Sequence, residues 1–158
     1  MRFYIQQHVF TWRDRFSIYD ETERERYFVE GEVFSFGKKL HLLDLAGQEL
    51  AYVHQEAFSF LPRYRISRDG ADVAEVVRRF SFFRQEYEVA GLGWHVSGDF
   101  FAHEFEIRDL SGHLIAGVSK DWFSFGDAYA IDVDDYADEI LALAIVIVID
   151  AVISDDRA

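Results

Sequence analysis

The side chains able to do chemistry are spread along this chain. Six histidines stand at His8, His41, His54, His95, His103 and His113, and two of them lie beside acids, in "HQE" (54–56) and "HEFE" (103–106). On an extended strand His54 and Glu56 share a face, so together they could offer a metal one nitrogen and one oxygen. A surface histidine near a carboxylate gives the same pattern, and that reading is adopted: no metal and no cofactor are expected. "DVDDYADE" (132–139) is faintly like a calcium loop. It lacks the glycine at the sharp bend and the acidic spacing, and reads as a helix start with solvated acids. No P-loop, GxGxxG, GxSxG or HExxH is present, and no nucleophile has a base beside it.

One stretch does concentrate charge. Residues 61–84 hold Arg63, Arg65, Arg68, Arg78, Arg79 and Arg84 against Asp69, Asp72 and Glu75, a local excess of positive charge in a chain of net charge −13. Guanidinium forks suit bidentate contact with phosphate, so these six arginines are the candidate ligand-binding residues, for an anionic group. The competing reading is cross-strand pairing with neighbours such as Glu75, Glu86 and Glu88.

The elements that position these residues follow from a repeat. "FSF" occurs at 34–36, 58–60, 80–82 and 123–125. Before the last three copies come Asp44, Asp69 or Asp109, then Gly47, Gly70 or Gly112, then Ala51, Ala74 or Ala116, then Val53, Val76 or Val118. Asp20 begins a looser copy that ends at 34–36, and a degraded fifth copy ends at Phe100–Phe101. Aspartate followed by glycine is turn chemistry: the carboxylate bonds its own backbone and glycine accepts positive φ. Period-two runs flank the turns, as in "LHLLDL", "ELAYVH" and "EFEIRD". Each unit is therefore a β-hairpin, and the chain is a meander of hairpins joined at the aromatic tripeptides. With i and i+2 on one face, both phenylalanines of each tripeptide are expected to face a common apolar partner.

That partner is sought in "DDYADEILALAIVIVIDAVIS" (134–154). Asp134 or Asp135 is the expected cap of a helix over about 135–153, with Asp138 and Glu139 favouring its dipole. "IVIVI" favours a strand, but the length and the acidic start favour a helix. Apolar on all sides, and broken by Asp150 too early to span a bilayer, it is expected to be a core helix inside the sheet.

Composition sets the outer limits. Half of the 158 residues are hydrophobic and 17% are aromatic, with one proline and no cysteine. One domain over 1–158 is expected, with strands at about 2–133, no disulfides and no disordered tail. No secretory leader is read in "MRFYIQQHVF", so a cytoplasmic location is expected. The negative charge excludes nucleic acid as a general partner. With only three lysines, the acidity also fits a protein kept soluble in strong salt.

Short strands followed by a wholly apolar helix resemble the LURP-one-related (YxjI-like) family. The blocks that carry the resemblance are "YIQQHVFTWRDRFSIYD", "YFVEGEVFSFGKKLHLLDLAGQELAYVHQE", "YRISRDG" and "WFSFGDAYAIDVDDYADEILALAIVIVID". The resemblance covers essentially the whole chain and contains no catalytic signature. It implies a mainly β fold, a closed antiparallel barrel of about twelve strands around the C-terminal helix. That barrel is similar to those of the Tubby C-terminal domain and the phospholipid scramblases. It also implies a phosphoinositide-like or membrane-surface ligand, bound weakly here because the chain is acidic. A non-catalytic binding or scaffold barrel is the function expected; the alternative is an enzyme with a carboxylate or histidine site.

Overall fold

The computed structural model describes residues 1–6, 15–32, 37–56, 58–80, 85–123 and 126–157. Twelve strands follow one another: β1 (Arg2–Gln6), β2 (Phe16–Asp20), β3 (Glu25–Gly31), β4 (Lys39–Asp44), β5 (Glu49–Gln55), β6 (Arg63–Arg68), β7 (Ala71–Phe80), β8 (Gln85–Ala90), β9 (Trp94–Asp99), β10 (Glu104–Arg108), β11 (Leu114–Phe123) and β12 (Gly126–Val133). Each pairs antiparallel with the next, and β1 also pairs with β12, from Arg2 opposite Asp132 to Gln6 opposite Ala128. The sheet is thus a closed barrel with no free edge. The helix α1 (Glu139–Arg157) completes the fold.

Alternation decides what fills the barrel. Ala51 and Val53 of β5, Tyr64 and Ile66 of β6, and Tyr129, Ile131 and Val133 of β12 point inward and are buried. They form one core cluster with the helix, whose residues 141–153 are all buried. The strand-favouring "IVIVI" is helical here for a physical reason. A closed sheet has no edge to accept another strand, and inside an apolar lumen only a helix satisfies its own N–H and C=O groups. No helix among the described residues is long and apolar enough to cross a membrane.

The helix start differs from the sequence expectation. Asp138, not Asp134 or Asp135, is the cap: its Oδ1 accepts the Leu141 N–H at 3.1 Å. Residues 134–137 are spent on a turn, Ala137 N–H to Asp134 O at 3.0 Å, which swings the chain from β12 into the lumen. Asp138 Oδ2 also receives Arg68 Nη1 at 2.6 Å, and the Tyr27 hydroxyl donates to Glu139 at 2.5 Å. Burial and then that bond to Glu139 push the Tyr27 pKa up to about 12.

The recurring aspartates do turn work. Asp44 Oδ1 accepts from the Ala46 and Gln48 N–H groups, both at 2.9 Å. Asp109 Oδ1 accepts from Ser111 at 2.9 Å and His113 at 3.0 Å, and Asp20 Oδ1 from Thr22 at 2.8 Å and Arg24 at 3.2 Å. The hydroxyls of Thr22 and Ser111 contribute most to holding the Asp20 and Asp109 carboxyls below the usual range. Three residues after each aspartate the chain turns left-handed, at Gly47 (φ 84°), Gly112 (φ 85°) and, in the looser copy, Glu23 (φ 65°). Asp69 and Gly70 instead form a two-residue turn in which both have positive φ.

The aromatic tripeptides correct one expectation. In the copy at 58–60, Phe58 is 96% exposed and Phe60 100% exposed, so these rings do not face the helix. The reason is that 56–62 is a connection rather than a strand, and strand alternation does not apply to it. The side chains of the other three copies lie outside the described residues. The up-and-down order puts six connections at each end of the barrel. The entry rim carries the β2–β3, β4–β5, β6–β7, β8–β9 and β10–β11 turns and the β12–α1 passage; the exit rim carries the rest. Lys38 Nζ bonds the Ala151 carbonyl at 3.0 Å, which places the later part of α1 at the exit rim.

Two outcomes follow. Left-handed backbone costs a non-glycine residue roughly 1–2 kcal/mol, partly offset by glycine's unfolded-state entropy. Glu23→Gly is therefore expected to stabilise the chain by roughly 0.5–1 kcal/mol in urea denaturation, whereas Gly47→Glu should destabilise it. Deleting 136–158 removes nine buried Leu, Ile and Val side chains, each worth about 1.5–3 kcal/mol against a typical net stability of about 5–15 kcal/mol. The truncated chain is expected to show no cooperative thermal transition by circular dichroism.

Candidate functional site: the outer wall of the barrel

The arginines of the β6–β7 hairpin take three directions. Tyr64 and Ile66 point inward, so Arg63 and Arg65 face out, side by side. Arg63 Nε is 3.0 Å from Glu75 and 3.9 Å from Glu56. Arg65 Nε is 2.5 Å from Glu56, and its Nη1 is 3.3 Å from Asp72. Both Nε–H groups fall short of aligned hydrogen bonds, so these are ion pairs made by proximity. The Glu56 charge contributes most to raising the Arg65 pKa. The Ser67 hydroxyl, with Arg65 adding to it, holds the Asp72 carboxyl low. Arg79 pairs with Glu88 at 3.1 Å, both more than half exposed.

The other arginines leave this face. Arg68 goes to Asp138 at the helix cap. Arg78 shares the inward parity of Ala74 and Val76; it is buried, and its Nε donates to the Tyr87 hydroxyl at 3.2 Å. Arg84 lies outside the described residues. Arg63 and Arg65 therefore stand together, with Glu56, Asp72 and Glu75 among them. Beside them an open groove of about 300 Å³ runs along β7, lined by Arg65, Asp72, Glu75 and Gly91.

The suspected histidine–carboxylate pairs come apart. Glu56 serves the arginines, while His54 stacks on Tyr52 at 5.3 Å between ring centres. "HEFE" is split by the wall: His103 is buried, whereas Glu104 and Glu106 are exposed. The acids of "DVDDYADE" each hold a different partner. Asp132 clasps Arg2 at 2.6 and 2.8 Å, Asp134 meets His113 at 3.1 Å, and Asp135 meets the Met1 ammonium at 3.1 Å. Among the described residues no group of three acids or histidines is arranged to hold a metal ion.

Two arrangements had escaped the sequence. His41 on β4 lies between two acids, with Nδ1 2.5 Å from Glu49 and Nε2 2.9 Å from Glu32, and its ring stacks on Tyr52 at 4.8 Å. Burial acts to lower its pKa, but the bonds to Glu49 and Glu32 outweigh burial and the net shift is upward. The second is internal. His103 Nε2 is 3.4 Å from Asp150 on α1, and its ring stacks on Tyr129 at 5.0 Å. Burial, then the Asp150 charge, push the Tyr129 hydroxyl well above its ordinary range, though that hydroxyl makes no aligned hydrogen bond. The one available signal was Asp150 itself, a charge inside an apolar run.

A family model described as LURP-one-related matches residues 1–150. YxjI, an uncharacterized protein of Bacillus subtilis (strain 168), is 36% identical over 154 residues, covering 98% of this chain and 94% of its own. A solved structure of a protein from Arabidopsis thaliana superposes with a TM-score of 0.74 at 18% identity, covering 96% of this chain and 90% of that one. At that identity the likeness speaks for the fold.

The raised pKa of His41 gives a pH dependence with a definite sign. Its stabilisation is complete below the ordinary histidine pKa of about 6.5 and is lost as pH rises through the higher folded value. The difference in melting temperature between the native chain and His41→Gln is expected to be largest in weak acid and to shrink as pH rises into the mildly alkaline range. Parallel thermal scans across pH check this.

Proposed function

The chain belongs to the LURP-one-related family, and on that premise we propose that it is a non-catalytic binding barrel that meets its ligand with its exterior. The observation that carries this reading is the helix. Among the described residues, 141–153 are buried, all but Asp150 apolar, and pack with the inward side chains of the strands into one core that occupies the lumen. Open grooves lie on the outer wall; one of about 610 Å³ is bordered by Ser97, Glu104, Glu106, Ser119 and Asp132.

The ligand class is an anionic group, of the kind a phospholipid headgroup presents, taken weakly at Arg63, Arg65 and Arg79. Guanidinium forks fit phosphate oxygens, and two of the pairing carboxylates are exposed enough to be displaced, Asp72 at 54% and Glu88 at 58%, while Glu56 and Glu75 are more shielded. Displacement keeps the affinity low. The overall negative charge works against general attraction to an anionic membrane.

Titration of phosphoinositide headgroups is expected to show weak, salt-sensitive binding to the native chain. An Arg63→Ala, Arg65→Ala, Arg79→Ala variant is expected to lose it. Equal binding by both proteins would remove this surface from consideration.

A further inference from the structure

The two rims of the barrel differ in chemistry. Among the described residues, the exit-rim connections contain four aromatic residues, Phe58, Phe60, Phe100 and Phe101, and the entry-rim connections contain one, Tyr136. Among the described exit-rim residues, Phe58 and Phe60 stand almost wholly in solvent and Phe101 is about half exposed. Charge divides the same way. The entry-rim connections carry seven carboxylates against one arginine, Arg24; among the described residues, the exit-rim connections carry two cations, Arg15 and Lys38, against two carboxylates, Glu32 and Glu56.

We propose that the exit rim docks against the same rim of a second copy, making an end-to-end two-fold dimer through Phe58, Phe60 and Phe101. The chain as a whole carries −13, so two copies repel each other across most of their surfaces. At the exit rim the charge is nearly balanced, and both partners present exposed rings there. A two-fold contact pairs like patch with like patch. It also closes, because each dimer then presents only entry rims, whose acids repel further copies.

A phosphate-bearing surface fits this rim less well. Of the cations around it, Arg15 lies over the Phe28 ring and near Glu30, and Lys38 is held by the Ala151 carbonyl.

The dimer is a weak one. Covering Phe58 and Phe60 removes roughly 300–500 Å² per copy from water, less than the roughly 800 Å² per partner of a standard interface. A dissociation constant on the order of tens of micromolar is expected. It should tighten at ~1 M salt, where repulsion between the acidic bodies is screened.

Sedimentation equilibrium of the full chain, from low salt to high, reads this directly. A monomer–dimer equilibrium with no larger species is expected. Phe58→Asn with Phe60→Ser should weaken it at least tenfold without changing the melting temperature, and Tyr136→Ser should leave it unaltered. Because the chain has no cysteine, Ser59→Cys is a clean second probe: it should oxidise to a disulfide dimer in air, whereas Tyr136→Cys should not. A chain that stays monomeric throughout, an open-ended polymer, or a dimer indifferent to the two phenylalanine changes would overturn the proposal. So would flotation of a monomeric native chain, but not the double variant, with phosphatidylcholine vesicles, which would assign the rings to lipid.

Discussion

Everything in this molecule depends on a helix with no polar side to show to water. Residues 141–149 are buried all round the helix axis, so α1 needs a complete sleeve, and an open sheet would leave one flank wet. Closure of β1 onto β12 supplies that sleeve and removes the last free strand edge. The exception inside is Asp150, and His103 and Tyr129 are gathered around it from β12 and the β9–β10 connection. A buried carboxylate without such company would be strongly destabilising.

Because the lumen is occupied, chemistry is pushed to the wall and the rims. On the wall, acids and cations interleave: Glu56, Asp72 and Glu75 around Arg63 and Arg65, and Glu32 and Glu49 around His41. At the entry rim the acids meet the amino end of α1, where Asp138 and Glu139 suit the helix dipole. The same carboxylates that make the chain acidic therefore also fasten the helix into its sleeve, through Arg68 and Tyr27.

The hairpin repeat and the apolar helix were legible in the sequence because both are local: aspartate-to-glycine spacing announces a turn, and an uncharged run announces burial. The tripeptide at 58–60 misled because period-two reasoning holds only inside a strand, and it is not in one. The inward direction of Arg78 could have been counted from Val76, two residues earlier. No counting could have joined Arg68 to Asp138, which lie 70 positions apart and meet only once the barrel closes. His103 was equally hidden, since its φ of 54° is a left-handed turn that sends the ring inward against the polarity of its neighbours.

The seam between β1 and β12 has a consequence for biosynthesis. The first strand made must wait for the last, and α1 is made later still, yet a helix cannot be threaded through a sleeve already shut. The sheet must therefore wrap the helix, and neither can be finished until both have left the ribosome. At about 5–20 residues per second, a chain of 158 residues spends roughly 8–30 s with two open strand edges and an apolar face uncovered. The finished fold has no edge to aggregate through; the nascent one has two, and its exposure to chaperones and to neighbouring nascent chains is concentrated in that interval.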